Sequence, residues 1–126
     1  MQNNNSKFKI DLKKRAYFYA LDVIKFIDIV DKKDLCAQII LKQLLRSATS
    51  IGANIVEAQA GSTKKDFTNF FSYALKSANE SGFWLGLLQD SAKADKNKTE
   101  ALFQETIELA NILGSSILTL KGKRKT

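Results

Sequence analysis

Histidine and proline are both absent from this 126-residue chain, and cysteine occurs once, as Cys36. Without histidine there is no Ser-His-Asp or Cys-His arrangement, no imidazole metal ligand and no general base titrating near neutrality. Carboxylate or lysine chemistry is what remains, and no carboxylate motif or Gly-rich phosphate loop stands out to support it. The sequence therefore points away from an enzyme, and away from a cofactor or metal. A single cysteine excludes an intramolecular disulfide and fits a reducing compartment. Its spacing to Ala37 and Ile40 reads as that of a small core residue. The opening stretch MQNNNSKFKIDLKK has no apolar signal core, and no run approaches the ~20 apolar residues of a membrane span, so a cytoplasmic protein is expected.

The lack of proline leaves long helices uninterrupted. A hydrophobic content of 44% with 26% charge is that of a globular chain, and the length suits one domain, residues 1–126, with short basic tails. Apolar spacing predicts helices over roughly 12–30, 35–60, 64–91 and 97–120. Asp31-Lys32-Lys33-Asp34 reads as a turn with an acidic start to the second helix, and Gly61 as that helix's C′ residue. Thr63-Lys64-Lys65-Asp66 resembles a capping box, and Asn97 with Glu100 a cap for the fourth helix. Four helices joined by short connections argue an all-α, antiparallel up-down-up-down bundle.

The stretch Leu44–Glu57 has two unlike faces at 100° per residue. Leu44, Ala48, Ile51 and Ile55 continue Ala37, Ile40 and Leu41 on one side. Arg46, Ser50, Ala53, Asn54 and Glu57 share the other, with small residues and an amide where a solvated face would carry lysines and glutamates. Something is expected to pack there, with Arg46 and Glu57 making an Arg–Glu pair that fixes register within an assembly. On the third helix, Phe67, Phe70, Phe71, Ala74, Ala78, Ser81, Leu85 and Leu88 suffice for a core face. Asn69, Tyr73, Glu80, Trp84 and Leu87 form a second stripe. On the fourth, Leu102, Leu109 and Leu120 lie off a Phe103–Ile107–Ala110–Ile117 face. Surplus apolar stripes are typical of subunit contacts, the plainer alternative being a wide core face.

The formal charge is +7, from 20 cations and 13 anions. Lys7, Lys9, Lys13, Lys14, Arg15, Lys121, Lys123, Arg124 and Lys125 are nine of those cations, clustered near the two ends beside the single anion Asp11. In an up-down-up-down bundle both ends meet at one pole, joined there by Lys64 and Lys65. Such a pole attracts a polyanion, and phosphate contact with nucleic acid is the leading reading. Lysine-rich tails that only confer solubility are the alternative.

One run, Gln43, Arg46-Ser47-Ala48, Ser50-Ile51, Ala53-Asn54-Ile55 and Glu57, fits the pattern Q-x-x-R-S-x-x-S-I-x-A-N-I-x-E. It is followed by Lys65-Asp66-Phe67, Ala74-Leu75-Lys76-Ser77-Ala78-Asn79-Glu80 and Trp84-Leu85. In these two middle helices the chain resembles the small bacterial four-helix-bundle family associated with intervening sequences in 23S ribosomal RNA. It departs from that family where Ala58-Gln59-Ala60 stands between the motif glutamate and Gly61. The resemblance implies a homopentameric ring. It also implies a relationship to the accessory variability protein of diversity-generating retroelements, which binds a reverse transcriptase and nucleic acid through a basic surface. Two functions follow as expectations: an oligomeric binder of nucleic acid, RNA before DNA, or an adaptor for a protein such as a reverse transcriptase.

Overall fold

Three connections of five, three and five residues join α1 (Asn4–Ile29), α2 (Leu35–Ala60), α3 (Lys64–Asp90) and α4 (Lys96–Leu120). Links this short leave consecutive helices no arrangement but antiparallel neighbours, which makes a four-helix bundle. The computed structural model describes residues 4–122, with side chains from residue 12 onward, and no strand occurs among them. α2 and α3 pack most extensively, α4 joins α3, and α1 lies along α2 with a lighter contact to α4. No helix among the described residues is long and apolar enough to cross a membrane.

Side-chain caps fix three of the helix starts. Asp34 accepts the Ala37 N–H at 2.8 Å, Thr63 accepts the Asp66 N–H at 3.0 Å, and Asp95 accepts the Lys98 N–H at 2.9 Å. Each satisfies a donor that the first turn leaves without an intrahelical partner. The fourth helix thus starts before the expected Asn97. Asp95 captures the free N–H first, and its own carbonyl accepts the Thr99 hydroxyl at 2.6 Å. α1 also begins earlier than expected. Gly61 ends α2 in extended backbone, φ −69° and ψ 150°, and not in the left-handed state expected of a C′ glycine. The left-handed positions are Ala92 (φ 57°) after α3 and Gly122 (φ 70°) after α4.

The core of α2 is Ala37, Leu41, Leu44, Ser47, Ala48, Ile51, Ile55 and Ala58, in the register read from its sequence. That of α3 is Phe71, Ala74, Ala78, Ser81, Leu85 and Leu88, again as expected, with Phe67 and Phe70 partly buried beside it. In α4 the register differs. Thr99, Leu102, Thr106, Leu109, Leu113 and Ile117 face inward, whereas Phe103 and Ala110 sit half-buried and Ile107 is exposed. Thr99 and Thr106 read as polar in sequence, but their hydroxyls donate to carbonyls four residues back and so cost little to bury. Counting them as polar rotates the inferred face by most of a quadrant. Cys36 is exposed, not a core residue.

α1 is held from within by Tyr19. Its side chain is buried and its hydroxyl lies 2.6 Å from Thr106 Oγ1. Thr106 spends its proton on Leu102 O, so Tyr19 is the donor. Burial, opposed by these hydrogen bonds, pushes the phenol up to about 12. Tyr19→Phe is expected to lower unfolding free energy by about 1 kcal/mol, the net worth of a typical internal hydrogen bond, in a denaturant titration.

At the opposite end of the bundle, Lys93 Nζ meets Asp34 Oδ1 at 3.0 Å and links the α1–α2 and α3–α4 connections. The Ala37 N–H, then the Lys93 ammonium, hold the Asp34 carboxyl below its ordinary range. A carboxylate with a lowered folded value stabilises above its unfolded value, near 4, and loses that contribution as pH falls through the lowered one. Asp34→Asn should therefore depress the melting temperature at pH 7, and the difference from the wild type should shrink as pH falls below about 4.

Candidate nucleic-acid interface

The first described turn of α1, the end of α2, the start of α3 and the end of α4 converge on one open groove of about 730 Å³. Leu12, Gln59, Phe67, Phe71 and the α4 segment from Asn111 to Leu120 line it. Lys13 and Lys14 on α1, Lys64 and Lys65 in the first turn of α3, and Lys121 after α4 are all exposed on these elements. Lys7 and Lys9, expected at the same place, have side chains outside the described residues, as do Lys123, Arg124 and Lys125 in full.

Arg15 behaves differently from its neighbours. Its Nε donates to Glu105 Oε2 at 2.7 Å and its Nη2 to Glu105 Oε1 at 2.8 Å, while Glu108 takes a further bond from Nη2. The two hydrogen bonds to Glu105 are bidentate, and the Arg15 side chain is only 22% exposed. Hydrogen bonding to Glu105 in the first place, opposed by burial and helped by Glu108, raises its pKa further above neutrality. Expected among the phosphate contacts, Arg15 is instead the clasp between α1 and α4. The signal is in the sequence: Glu105 and Glu108 stand three apart on one helical face, an E-x-x-E spacing that presents two carboxylates to one neighbour. Among the described residues no three acidic or cysteine side chains gather into a metal-binding cluster.

The stripe on α2 resolves into two parts. Arg46 takes Gln43 Oε1 through Nε and Nη2 at 3.2 and 3.1 Å, and reaches across to Glu80 Oε2 on α3. Trp84 Nε1 donates to the same Glu80 oxygen at 3.2 Å. Within one subunit the Arg–Glu contact is therefore Arg46–Glu80 and not Arg46–Glu57. Eleven residues of helix separate those two by about 16 Å along the axis, beyond the reach of both side chains, whereas Glu80 stands directly across the seam. Ser50 and Asn54 are half-buried, and Asn54 Nδ2 donates to Ser50 O at 2.9 Å within its own helix. Glu57 is exposed and makes no hydrogen bond or ion pair among the described residues. Tyr73 is 49% exposed, with its ring edge-on to Phe70; Phe83, which the sequence reading had not singled out, is 59% exposed and edge-on to Trp84.

Residues 9–115 match the family described as 23S rRNA-intervening sequence protein. The chain belongs to that family. A solved structure from Bacteroides thetaiotaomicron, a protein of unknown function from the S23 ribosomal protein family, is similar at 32% identity. It superposes with a TM-score of 0.77, covering 84% of this chain and 97% of its own. No curated protein matches the chain. Within the family signature, Gln43, Arg46, Ser47 and Glu80 join α2 to α3 inside a single subunit. The motif's polar half is thus partly a fold element. Because Arg46 is 62% exposed, its pair with Glu80 is weak. A double-mutant cycle with Arg46→Ala and Glu80→Ala is expected to give a coupling of about 0.5 kcal/mol that shrinks as salt is raised.

Proposed function

We propose that this protein is a non-catalytic, oligomeric RNA-binding protein that contacts phosphates through a basic pole. The observation that carries the reading is the convergence of exposed Lys13, Lys14, Lys64, Lys65 and Lys121 on the elements around one groove. Lys7, Lys9, Lys123, Arg124 and Lys125 extend the same two ends of the chain and complete the proposed contact set. Arg15 is left out of it. Two carboxylates surround that guanidinium, so its immediate neighbourhood is net negative and repels phosphate. Lysines on mobile stems suit sequence-independent phosphate contact, in which counterion release supplies the free energy. Membership of a family named for an insertion in 23S ribosomal RNA makes RNA the polyanion to test before DNA.

Assembly is the second half of the proposal. Tyr17, Phe18 and Phe83 are each more than half exposed and Tyr73 is close to half exposed, an excess of apolar surface for a lone subunit. A pentameric ring, as the family resemblance implies, would bring several poles together and multiply weak phosphate contacts by effective concentration. Ser50, Asn54 and Glu57 are then available as polar contacts between subunits.

Two measurements test these halves separately. Binding of a short RNA should weaken steeply with salt, and Lys64→Gln with Lys65→Gln should flatten the log–log slope by roughly 0.7 per phosphate contact removed. An unchanged slope together with capture of a protein partner would favour the adaptor reading. Tyr73→Ser with Phe83→Ser should lower the sedimenting mass while leaving the helical signal intact; an unaltered mass would place the subunit contact elsewhere.

A further inference from the structure

The groove at the lysine end has a chemistry of its own, distinct from the charge around it. We propose that it receives an unpaired base of single-stranded RNA, an assignment that rests on the RNA-binding reading and narrows its ligand to non-duplex strands. Its floor is aromatic. Phe67 is half-buried and stacks on the buried Phe71, with centroids 4.5 Å apart and planes 29° from parallel. The ring beneath holds Phe67 in place, so ordering it costs little when a base stacks against it. The walls mix apolar and uncharged polar groups: Leu12, Ile112 and Leu120 beside the Asn111 and Gln59 amides and the Ser116 and Thr119 hydroxyls, the last donating to Ser115 O at 3.1 Å and so free only to accept. An apolar floor with amide and hydroxyl edges matches a nucleobase, which has an apolar face and a rim of donors and acceptors.

The charge lies where the backbone of such a strand would run. Leu12 in the groove is followed by Lys13, Leu120 by Lys121, and Phe67 is preceded by Lys64 and Lys65. Three of the apolar contacts, Leu12, Phe67 and Leu120, thus have an exposed ammonium close by in sequence, while no cation among the described residues lines the groove itself. Asp66 is the one carboxylate within these runs; it is exposed, and only its backbone N–H is engaged, by Thr63. A base inside and phosphates outside satisfy both halves of this pattern. A duplex satisfies only the outer half, because its bases are stacked and paired. The volume of about 730 Å³ lies within the range of sites that enclose small organic ligands.

An abasic strand separates this inference from the reading beneath it. The probes are an octamer of uridylates and an octamer of the same phosphate count lacking its bases, each titrated against the full chain at one salt concentration. The base-bearing strand is expected to bind about tenfold tighter, the effect of stacking one base on an aromatic ring. Ser116→Phe, which fills the groove without touching a lysine, should abolish that difference and leave abasic binding unchanged. Should that variant fail to fold, Asn111→Ala, at an exposed position, should reduce the difference severalfold. Equal binding of the two strands overturns the groove assignment and leaves phosphate contact standing. A preference for bases that neither variant alters places base recognition elsewhere and also overturns it. Failure of both strands to bind removes the RNA reading itself, and the groove assignment with it.

Discussion

The close approach of α2 to α3 at Ser47 and Ser81 sets the geometry on which the rest of the bundle depends. Their hydroxyl oxygens are 2.8 Å apart, a distance two helices reach only where the residues between them are small. Ala48, Ala74 and Ala78 supply that smallness, and all three are fully buried. Each hydroxyl also has a carbonyl of its own helix within reach, Leu44 O for Ser47 and Ser77 O for Ser81, so whichever one donates across the seam the other keeps a partner for its proton. Both polar groups are therefore satisfied where an unpaired one would be expensive. With α2 and α3 locked in register, Arg46 falls opposite Glu80 and the start of α3 falls beside the end of α2. The Lys64–Lys65 turn is positioned by that register and not by any contact of its own.

α1 is attached to this pair by different means. It meets α2 at Ala16 and Gly52, where a Cβ on the glycine would lie 3.5 Å from the Ala16 Cβ, an ordinary contact. Toward α4 it relies on two polar links, Tyr19 to Thr106 inside and Arg15 to Glu105 and Glu108 at the margin. Beyond Arg15 the two helices leave the groove open between Leu12 and the last turns of α4. The same seam therefore neutralises one cation for structural use and leaves a cavity among the cations that remain. Charge and cavity at one end of the molecule are what join the proposed phosphate contacts to the proposed base site.

Much of this was legible beforehand, for reasons that can be named. Apolar spacing located all four helices, because a face that must bury repeats every three to four residues whatever it packs against. Thr63 was readable as a cap since its chemistry is local, acting only three residues on. α4 was misread at its core because Thr99 and Thr106 are polar by composition and buried by virtue of hydrogen bonds to their own helix. Arg15 was counted with the lysines because its partners lie 90 and 93 residues away in the chain. Phe83 escaped notice since it falls between the two stripes drawn for α3.

Local chemistry is what the sequence by itself determined: the presence and order of four helices, the Thr63 cap, and the core faces of α2 and α3. Those depend on spacing, capping and connection length, all of which act over a few residues. Pairing across the seams was decided only in three dimensions. Glu80 and not Glu57 answers Arg46, and Glu105 with Glu108 removes Arg15 from the basic surface. The groove beside Phe67 likewise exists only because four distant segments end together. Ion pairs and cavities are properties of distances between helices, and those distances are set by packing that no single helix carries in its own sequence.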